Sequence, residues 1–374
     1  MKKIIVIFVI LAFAAILFIV KEDRSSVKKQ SFEVVPAKLK LTATPFKEKQ
    51  DQERYSSIFI PYWSLDTIDE SQLGYYDRFF YFGVSATKTG INQDELGYLN
   101  LETFAELPIE NKYLTLRMLD PNVNSSVLSD EKIQEKIIEE TLQLLEDYSF
   151  DGFALDLELN ISLNENLESQ VTKFVQSFYS KIKSKNKRFI VILFGDNFYR
   201  KRPYNVSEIS KNSDEIMVMA YDFHKSKGEA GPNFPLSGRS KYGYDFQTMI
   251  DDYLKYISED KITIIFGMYG YDWTVDEKKR PIKPARALSL SDIKKEFLEK
   301  CQWQDCVVRR DELSAETEIN YVKPYKSTEG EESPSYKLDY HIVWFEDEQS
   351  VEKKIDYLKK KGINTIGYWV YGYF

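Results

Sequence analysis

Phe150-Asp151-Gly152-Phe153-Ala154-Leu155-Asp156-Leu157-Glu158-Leu159 decides how this chain is read. The run has the length of one strand, and side chains alternate along a strand. Phe153, Leu155, Leu157 and Leu159 share one face, suited to packing beneath helices. Ala154, Asp156 and Glu158 share the other. Two carboxylates on the inward face of a buried strand are costly unless they are paired or used. They would stand ~7 Å apart along the strand. Glu158 is nearer the C-terminal end, where the active sites of β/α barrels lie. Burial and like charge raise the pKa of at least one of the two, and a glutamate raised in this way suits a general acid. On this strand alone, a polar core pair satisfied by Tyr, Arg or backbone groups is the alternative.

Outward from this strand, short β-rich runs alternate with helical stretches. Candidate strands are Ser57–Trp63, Arg78–Ser85, Tyr113–Met118, Gly152–Glu158, Phe189–Phe194, Glu215–Tyr221, Ile262–Tyr269 and Asn364–Tyr371. The helix after the third strand is expected to start at Ser129, with Asp130 and Glu131 in its first turn. Its apolar stripe is Ile133, Ile137, Ile138, Leu142 and Leu145. Another helix is expected over 167–184. The last carries Val351, Ile355 and Leu358 and stops at Gly362. Eight strands interleaved with helices point to an α/β fold, a (β/α)8 TIM barrel. A doubly wound sheet is the alternative, but no Gly-rich phosphate loop follows any strand. Residues 274–340 read as a small α+β insertion between strands seven and eight, beside the barrel mouth. Cys301 and Cys306 fall within it, either as a local disulfide or as two free thiols.

The N-terminus has a different character. Ile4 to Val20 is an unbroken apolar run after Met1-Lys2-Lys3, and its end lacks a small-x-small cleavage site. Residues 1–20 read as a transmembrane anchor, with a cleaved signal peptide or a buried helix as alternatives. The leading lysines favour export of the remainder, so the barrel is expected on the extracytoplasmic side, or secreted if the segment is cut. Residues 21–50 read as a linker holding eight Lys/Arg and four Asp/Glu, whereas 51–374 hold 41 basic and 55 acidic residues. An acidic domain without a basic run is a poor nucleic-acid binder. With two Cys and two His in 374 residues, a Cys/His zinc site is almost excluded, and no metal or cofactor is expected.

The carboxylate strand resembles the signature of glycoside hydrolase family 18, Asp-Gly-x-Asp-x-Asp-x-Glu. Asp151, Gly152, Asp156 and Glu158 match, and Ala154 replaces the middle Asp. Met219-Ala220-Tyr221-Asp222 resembles the family's Met-x-Tyr-Asp motif. Phe266-Gly267-Met268-Tyr269-Gly270-Tyr271-Asp272-Trp273 is similar to its seventh-strand segment, Trp344-Phe345-Glu346-Asp347 to the approach to its final helix, and Gly367-Tyr368-Trp369 to its last strand. The resemblance spans about 55–374. Tyr221-Asp222-Phe223-His224 with Ala230-Gly231-Pro232 looks most like the branch of spore-germination and cortex-lytic N-acetylglucosaminidases that act on peptidoglycan.

The resemblance implies substrate-assisted catalysis. Glu158 would protonate the glycosidic oxygen, and the sugar's own acetamido carbonyl would attack C1. Asp156 would hold the acetamido N–H, and Tyr221 would donate to the acetamido oxygen. Trp369 would floor the sugar, Met219 would border the acetamido pocket, and Asp222 and Tyr269 would contact sugar. The expected partner is a polysaccharide containing N-acetylglucosamine. Met217 reads as barrel core and His224 as a solvated or loop residue, with subsite binding as its alternative. Trp63 and Trp273 read equally as cleft lining or as core. Three readings compete: a glycosidase, a sugar-binding module on the same barrel with Ala154 as its warning, and an envelope interaction protein working through the insertion. Retention of Glu158 favours the glycosidase.

Overall fold

The computed structural model describes residues 55–159, 166–327 and 335–374. The chain divides into two units, Met1–Lys49 and Gln50–Phe374, and the structure below is that of the second. The expected anchor at 1–20 and linker at 21–50 lie outside the described residues. Among the described residues, no helix is long and apolar enough to cross a membrane.

Eight parallel strands close on themselves. They are β1 (Tyr55–Pro61), β2 (Arg78–Thr87), β3 (Lys112–Met118), β4 (Gly152–Leu157), β5 (Arg188–Phe194), β6 (Glu215–Ala220), β7 (Ile262–Gly267) and, after an insertion, β13 (Thr365–Trp369). Neighbours follow chain order from β2 to β7. Then β13 pairs with both β7 and β1, and β1 pairs with β2. Closure excludes the doubly wound sheet, which leaves two open edges.

The helices cover the barrel because their apolar stripes match the outward faces of the strands. Phe153 of β4 stacks on Phe178 of α3 (Leu167–Ser184) at 4.9 Å and on Phe189 of β5 at 5.8 Å. Such ring pairs add to simple burial. The helix expected to begin at Ser129 starts one residue later. Asp120-Pro121 opens a separate helix, α1 (Pro121–Leu128), which ends on Ser129. Asp130 then caps α2 (Glu131–Asp147), accepting the amides of Lys132 and Ile133 at 2.9 and 3.4 Å. The last helix, α5 (Glu348–Lys360), opens with a capping box between Asp347 and Ser350. Gly362 follows it at φ 78°, as its C′ role requires. α4 (Phe246–Tyr253) packs its aromatic face on β7, with Phe246 and Phe266 stacked at 6.1 Å.

The N-terminal end of the barrel is plugged by a buried ion pair. Arg78 donates twice to Glu215, at 2.6 and 2.9 Å, and Arg188 donates to the same carboxylate at 2.9 Å. Burial pushes the Glu215 carboxyl up, but the charge and hydrogen bonds of Arg78, the Arg188 charge and the Thr263 hydroxyl together hold the group below its ordinary value. With this end closed, the opposite end is left for a ligand.

The insertion is larger than the expected 274–340. Its antiparallel sheet consists of β8 (Tyr269–Val275), β9 (Arg286–Ser289), β10 (Gln304–Arg310), β11 (Thr317–Ser327) and β12 (Ser335–Phe345), in the order β9-β8-β12-β11-β10. It therefore starts at Tyr269, which the sequence places at the end of the seventh barrel strand. That strand stops at Gly267, and the Met268 amide turns to the carbonyl of Trp369 at 2.9 Å. The hydrophobic pattern runs through the break, so nothing in it marks the change of sheet. A helical turn over Leu290–Leu298 and the Cys301–Cys306 disulfide complete the insertion. Trp273 is fully buried in its core among Tyr269, Tyr271, Ile342 and Trp344, so it does not line a cleft.

Candidate active site

The strand alternation read from the sequence puts Ala154 and Asp156 inside the barrel and Glu158 at its C-terminal mouth. Asp156 is buried, and Glu158, one residue past β4, is half-buried. Three groups hold the backbone that carries Glu158. Its amide donates to Met118 at 2.9 Å. Asn124 of α1 donates to both the Met118 and the Glu158 carbonyls, at 2.8 and 3.0 Å. The buried Tyr204 hydroxyl donates to the Leu157 carbonyl at 2.6 Å and accepts the Leu159 amide at 2.7 Å. None of these groups was singled out from the sequence, because loop and short-helix polar residues follow no period. Together they restrict the acid to one position at the mouth.

The carboxyl groups are perturbed as expected. Burial, then the charge of Glu158, pushes the Asp156 carboxyl well above its ordinary range, against the opposing pull of Arg117. Burial likewise raises Glu158. Among the charges around it, Lys225 acts most strongly and in the opposite sense. A raised pKa favours the protonated form that a general acid needs. Tyr221 is raised by burial and then by Asp156 and Glu158, so its hydroxyl remains a donor.

The remaining predicted site residues converge on this acid pair. The Tyr221 ring lies 6.4 Å from Trp369 and 6.0 Å from Tyr269. Trp369 is wedged against Phe82 at 4.6 Å and Phe59 at 5.8 Å, and its peptide to Val370 is cis. Tyr221 can approach the seventh strand because Gly267 is there: a Cβ on Gly267 would lie 2.7 Å from the Tyr221 Cβ. Asp222 adopts φ 58°. Its carboxylate accepts the hydroxyls of Tyr269 and, at 2.8 Å, of Tyr271. Tyr271 was missed as a site residue, although its position two residues beyond Tyr269 puts both on one strand face. Met219 is buried and is the Cα partner of Phe194, so it flanks the mouth, while Met217 lies in the core. His224 lies in the loop after β6, as one of the expectations had it, and is half-buried there, with its Nδ1 2.7 Å from the Pro232 carbonyl. Trp63 is 49% exposed, at the end of β1. No cluster of His, Cys, Asp or Glu able to hold a metal occurs among the described residues.

A closed parallel barrel with a raised-pKa acid at the C-terminal end of its fourth strand is the frame of a glycosidase, and the comparisons agree. Residues 60–373 match the profile of the glycosyl hydrolases family 18, and the chain belongs to that family. Among curated proteins it is 23% identical to an uncharacterized glycosylase, YvbX, of Bacillus subtilis, over 68% of this chain and 66% of that protein. It is 23% identical to the cortical fragment-lytic enzyme of Bacillus anthracis, over 67% and 53%. It is also 23% identical to the di-N-acetylchitobiase of Mus musculus, over 67% and 69%. The chain thus spans between about half and two thirds of the length of most of these relatives. In structure it is similar to the spore cortex-lytic enzyme SleL of Bacillus cereus, with TM-score 0.66 and 18% identity over 87% of this chain and 73% of that one. The family 18 N-acetylglucosaminidase of Paenibacillus barengoltzii gives TM-score 0.69 and 15% identity over 86% and 96%.

Proposed function

We propose that this glycosidase hydrolyses β-linked N-acetylglucosamine polymers, peptidoglycan ahead of chitin, by substrate-assisted catalysis with retention. The reading rests on one observation: Glu158 is held at the barrel mouth with a raised pKa, next to buried Asp156 and the protonated Tyr221 hydroxyl. Glu158 gives its proton to the glycosidic oxygen. The acetamido carbonyl closes on C1 as that bond breaks, forming an oxazolinium ion. Asp156 accepts the acetamido N–H and balances the charge that develops there, and Tyr221 donates to the acetamido oxygen. Water then opens the ring from the same face, with Glu158 acting as base. Trp369 lies beneath the sugar, Met219 borders the acetamido group, and Asp222 and Tyr269 contact the sugar. The cortical relatives support peptidoglycan. The Cys301–Cys306 disulfide supports an extracytoplasmic barrel tethered by its N-terminal segment.

The test uses the full-length chain, wild type and Glu158→Gln, on purified peptidoglycan and on chitin oligosaccharides, with products identified by mass spectrometry. Fragments ending in N-acetylglucosamine from wild type alone are expected. Silence from both proteins with glycan binding intact would replace this reading by a sugar-binding module.

A further inference from the structure

Lys225 is unlike the other cations near the barrel mouth. Arg117 is paired with Glu95 at 2.8 Å. Arg200 and Arg202 both bind Asp196, with the Arg202 Nε at 2.5 Å. Lys225 has no ion pair among the described residues, although it is half-buried, and its Nζ lies 5.5 Å from the centroid of the Phe194 ring. Phe194 ends β5, the strand next to the one carrying Glu158, and its side chain shares the inward face with Ile192, the Cα partner of Asp156. The ammonium therefore stands at the mouth beside the acid.

The backbone that carries it is tied on both sides. On one side, the His224 ring is tied to the Pro232 carbonyl at 2.7 Å. On the other, Ser226 donates to the Ala285 carbonyl at 2.6 Å, and the Ala285 amide returns to Ser226 at 2.8 Å. The Lys225 carbonyl closes a turn on Gly228 at 2.8 Å. A half-buried cation without a counter-charge is unfavourable. Lys225 is the charge that acts most strongly on Glu158, and Glu158 is neutral in the protonated form that acts as the acid.

We propose that Lys225 is a specificity residue that binds a carboxylate on the leaving sugar, next to the bond that is cut. The substrate class this implies is a glycan whose leaving sugar carries a 3-O-lactyl group, as muramic acid does. The glycosidic oxygen that Glu158 protonates is O4 of that sugar, and the lactyl ether is on the adjacent carbon. A cation beside Glu158 meets that carboxylate, and a neutral chitin sugar offers it nothing. The bond selected is then the one from N-acetylglucosamine to the lactyl-bearing sugar. This inference rests on the glycosidase reading above.

The test compares full-length wild type, Lys225→Met and Lys225→Arg on peptide-free strands of alternating N-acetylglucosamine and N-acetylmuramic acid. The same strands with their lactyl carboxylates methyl-esterified are the control. Wild type is expected to favour the free acid over the ester by about tenfold in kcat/KM, the scale of one hydrogen bond to a charged group. The ratio should fall close to one in Lys225→Met and recover in Lys225→Arg, and products should end in N-acetylglucosamine. An unchanged ratio in Lys225→Met, an equal loss on both strands, or products ending in muramic acid would overturn the proposal. Active wild type with no preference would overturn it alone. Wild type inactive on both strands and on chitohexaose would remove the glycosidase reading as well.

Discussion

Arg117 and Asp156 are Cα partners across β3 and β4, and each keeps a buried polar atom without a hydrogen-bond partner, Nε in the first and Oδ1 in the second. The Arg117 guanidinium is held by Glu95 at 2.8 Å and by the Gly83 carbonyl at 3.2 Å, over the ring of Phe82. It is the positive charge that draws the Asp156 carboxyl down against burial and against Glu158. Lys225, Asp222, Arg202 and Asp196 act on the neighbouring Glu158, and burial keeps the Tyr221 and Tyr204 hydroxyls protonated. In the proposed mechanism Asp156 must be ionised to balance a cationic intermediate, so its pKa would set the acid limb of the rate profile. Removing the charge with Arg117→Met raises that pKa further and moves the acid limb to higher pH. Arg117→Lys should restore much of it. A kcat–pH profile that keeps its acid limb in Arg117→Met would show that Arg117 serves the fold alone.

Ala154 is fully buried, and its Cα partner Thr115 has a hydroxyl with no hydrogen-bond partner. A carboxyl introduced by Ala154→Asp would meet the Thr115 hydroxyl on one side and Asp156 on the other. Two adjacent carboxyls share a proton, which lets Asp156 ionise when the acetamido group needs it. The expected result is a rise in kcat accompanied by a lower melting temperature, since another ionisable group has been buried. A fall in kcat with the fold intact would mean that Arg117 has replaced the family's second carboxyl altogether.

Much of this site was legible because strand alternation is strict. Asp156, Glu158, Met219 and Tyr221 could be assigned to inward faces from spacing alone, and the stripes on α2 and α5 identified their buried sides. The same rule applied to β3 would put Thr115 and Arg117 on its inward face, but neither was singled out, because a lone basic residue near a strand end reads as solvated. Other parts had no local signal. Asn233 and Glu316 sit in loops whose partners are far away in the chain. Lys354 is fully buried in a helix where its neighbours Lys353 and Lys359 face outward, and only tertiary packing separates them. The Gly267–Tyr269 boundary was missed because apolar character continues from a barrel strand into a sheet of another kind.

Those distant partners form a buried charge cluster with its own pH behaviour. Lys354 of α5 pairs with Glu316 at 3.0 Å and with Glu346, all three fully buried. Glu316 also accepts the amides of Asn233 at 2.5 Å and Phe234 at 2.8 Å, whereas Glu346 keeps Oε1 without a partner. Burial pushes the Glu346 carboxyl up from 4.5 to about 8. A group raised in the folded state stabilises fully below its unfolded pKa, and that stability is lost as pH rises through the folded value. Stability should therefore decline between about pH 4.5 and 8. Glu346→Gln should flatten that decline in denaturant titrations across this range. Lys354→Met leaves buried carboxylates unpaired and should cost about 3–5 kcal/mol. An unchanged slope in Glu346→Gln would place the titration elsewhere.

The cluster reaches the active site through Asn233. Its Oδ1 accepts the Asp222 amide at 2.7 Å, and its Nδ2 donates to the Gly267 carbonyl at 3.1 Å and to the Tyr269 carbonyl at 3.3 Å. Its carbonyl accepts the Phe223 amide at 2.8 Å. One side chain thus joins the loop after β6, which carries Asp222 at positive φ, to the end of β7 and the start of β8. Without that bond, Asp222 loses the contact that holds its own amide in a left-handed conformation that a non-glycine residue disfavours, and in the proposed mechanism Tyr221 beside it is less well aimed at the acetamido group. Asn233→Ala is expected to lower kcat by roughly 10–100-fold, the scale on which misplacing a reacting group acts. KM should change less, because Trp369, the sugar platform of the proposed mechanism, is held by Phe82 and Phe59. Asn233→Asp keeps the acceptor for Asp222 but loses the donor to Gly267, so it should fall between wild type and Asn233→Ala. Equal losses in kcat and melting temperature across both variants would instead assign Asn233 to stability alone.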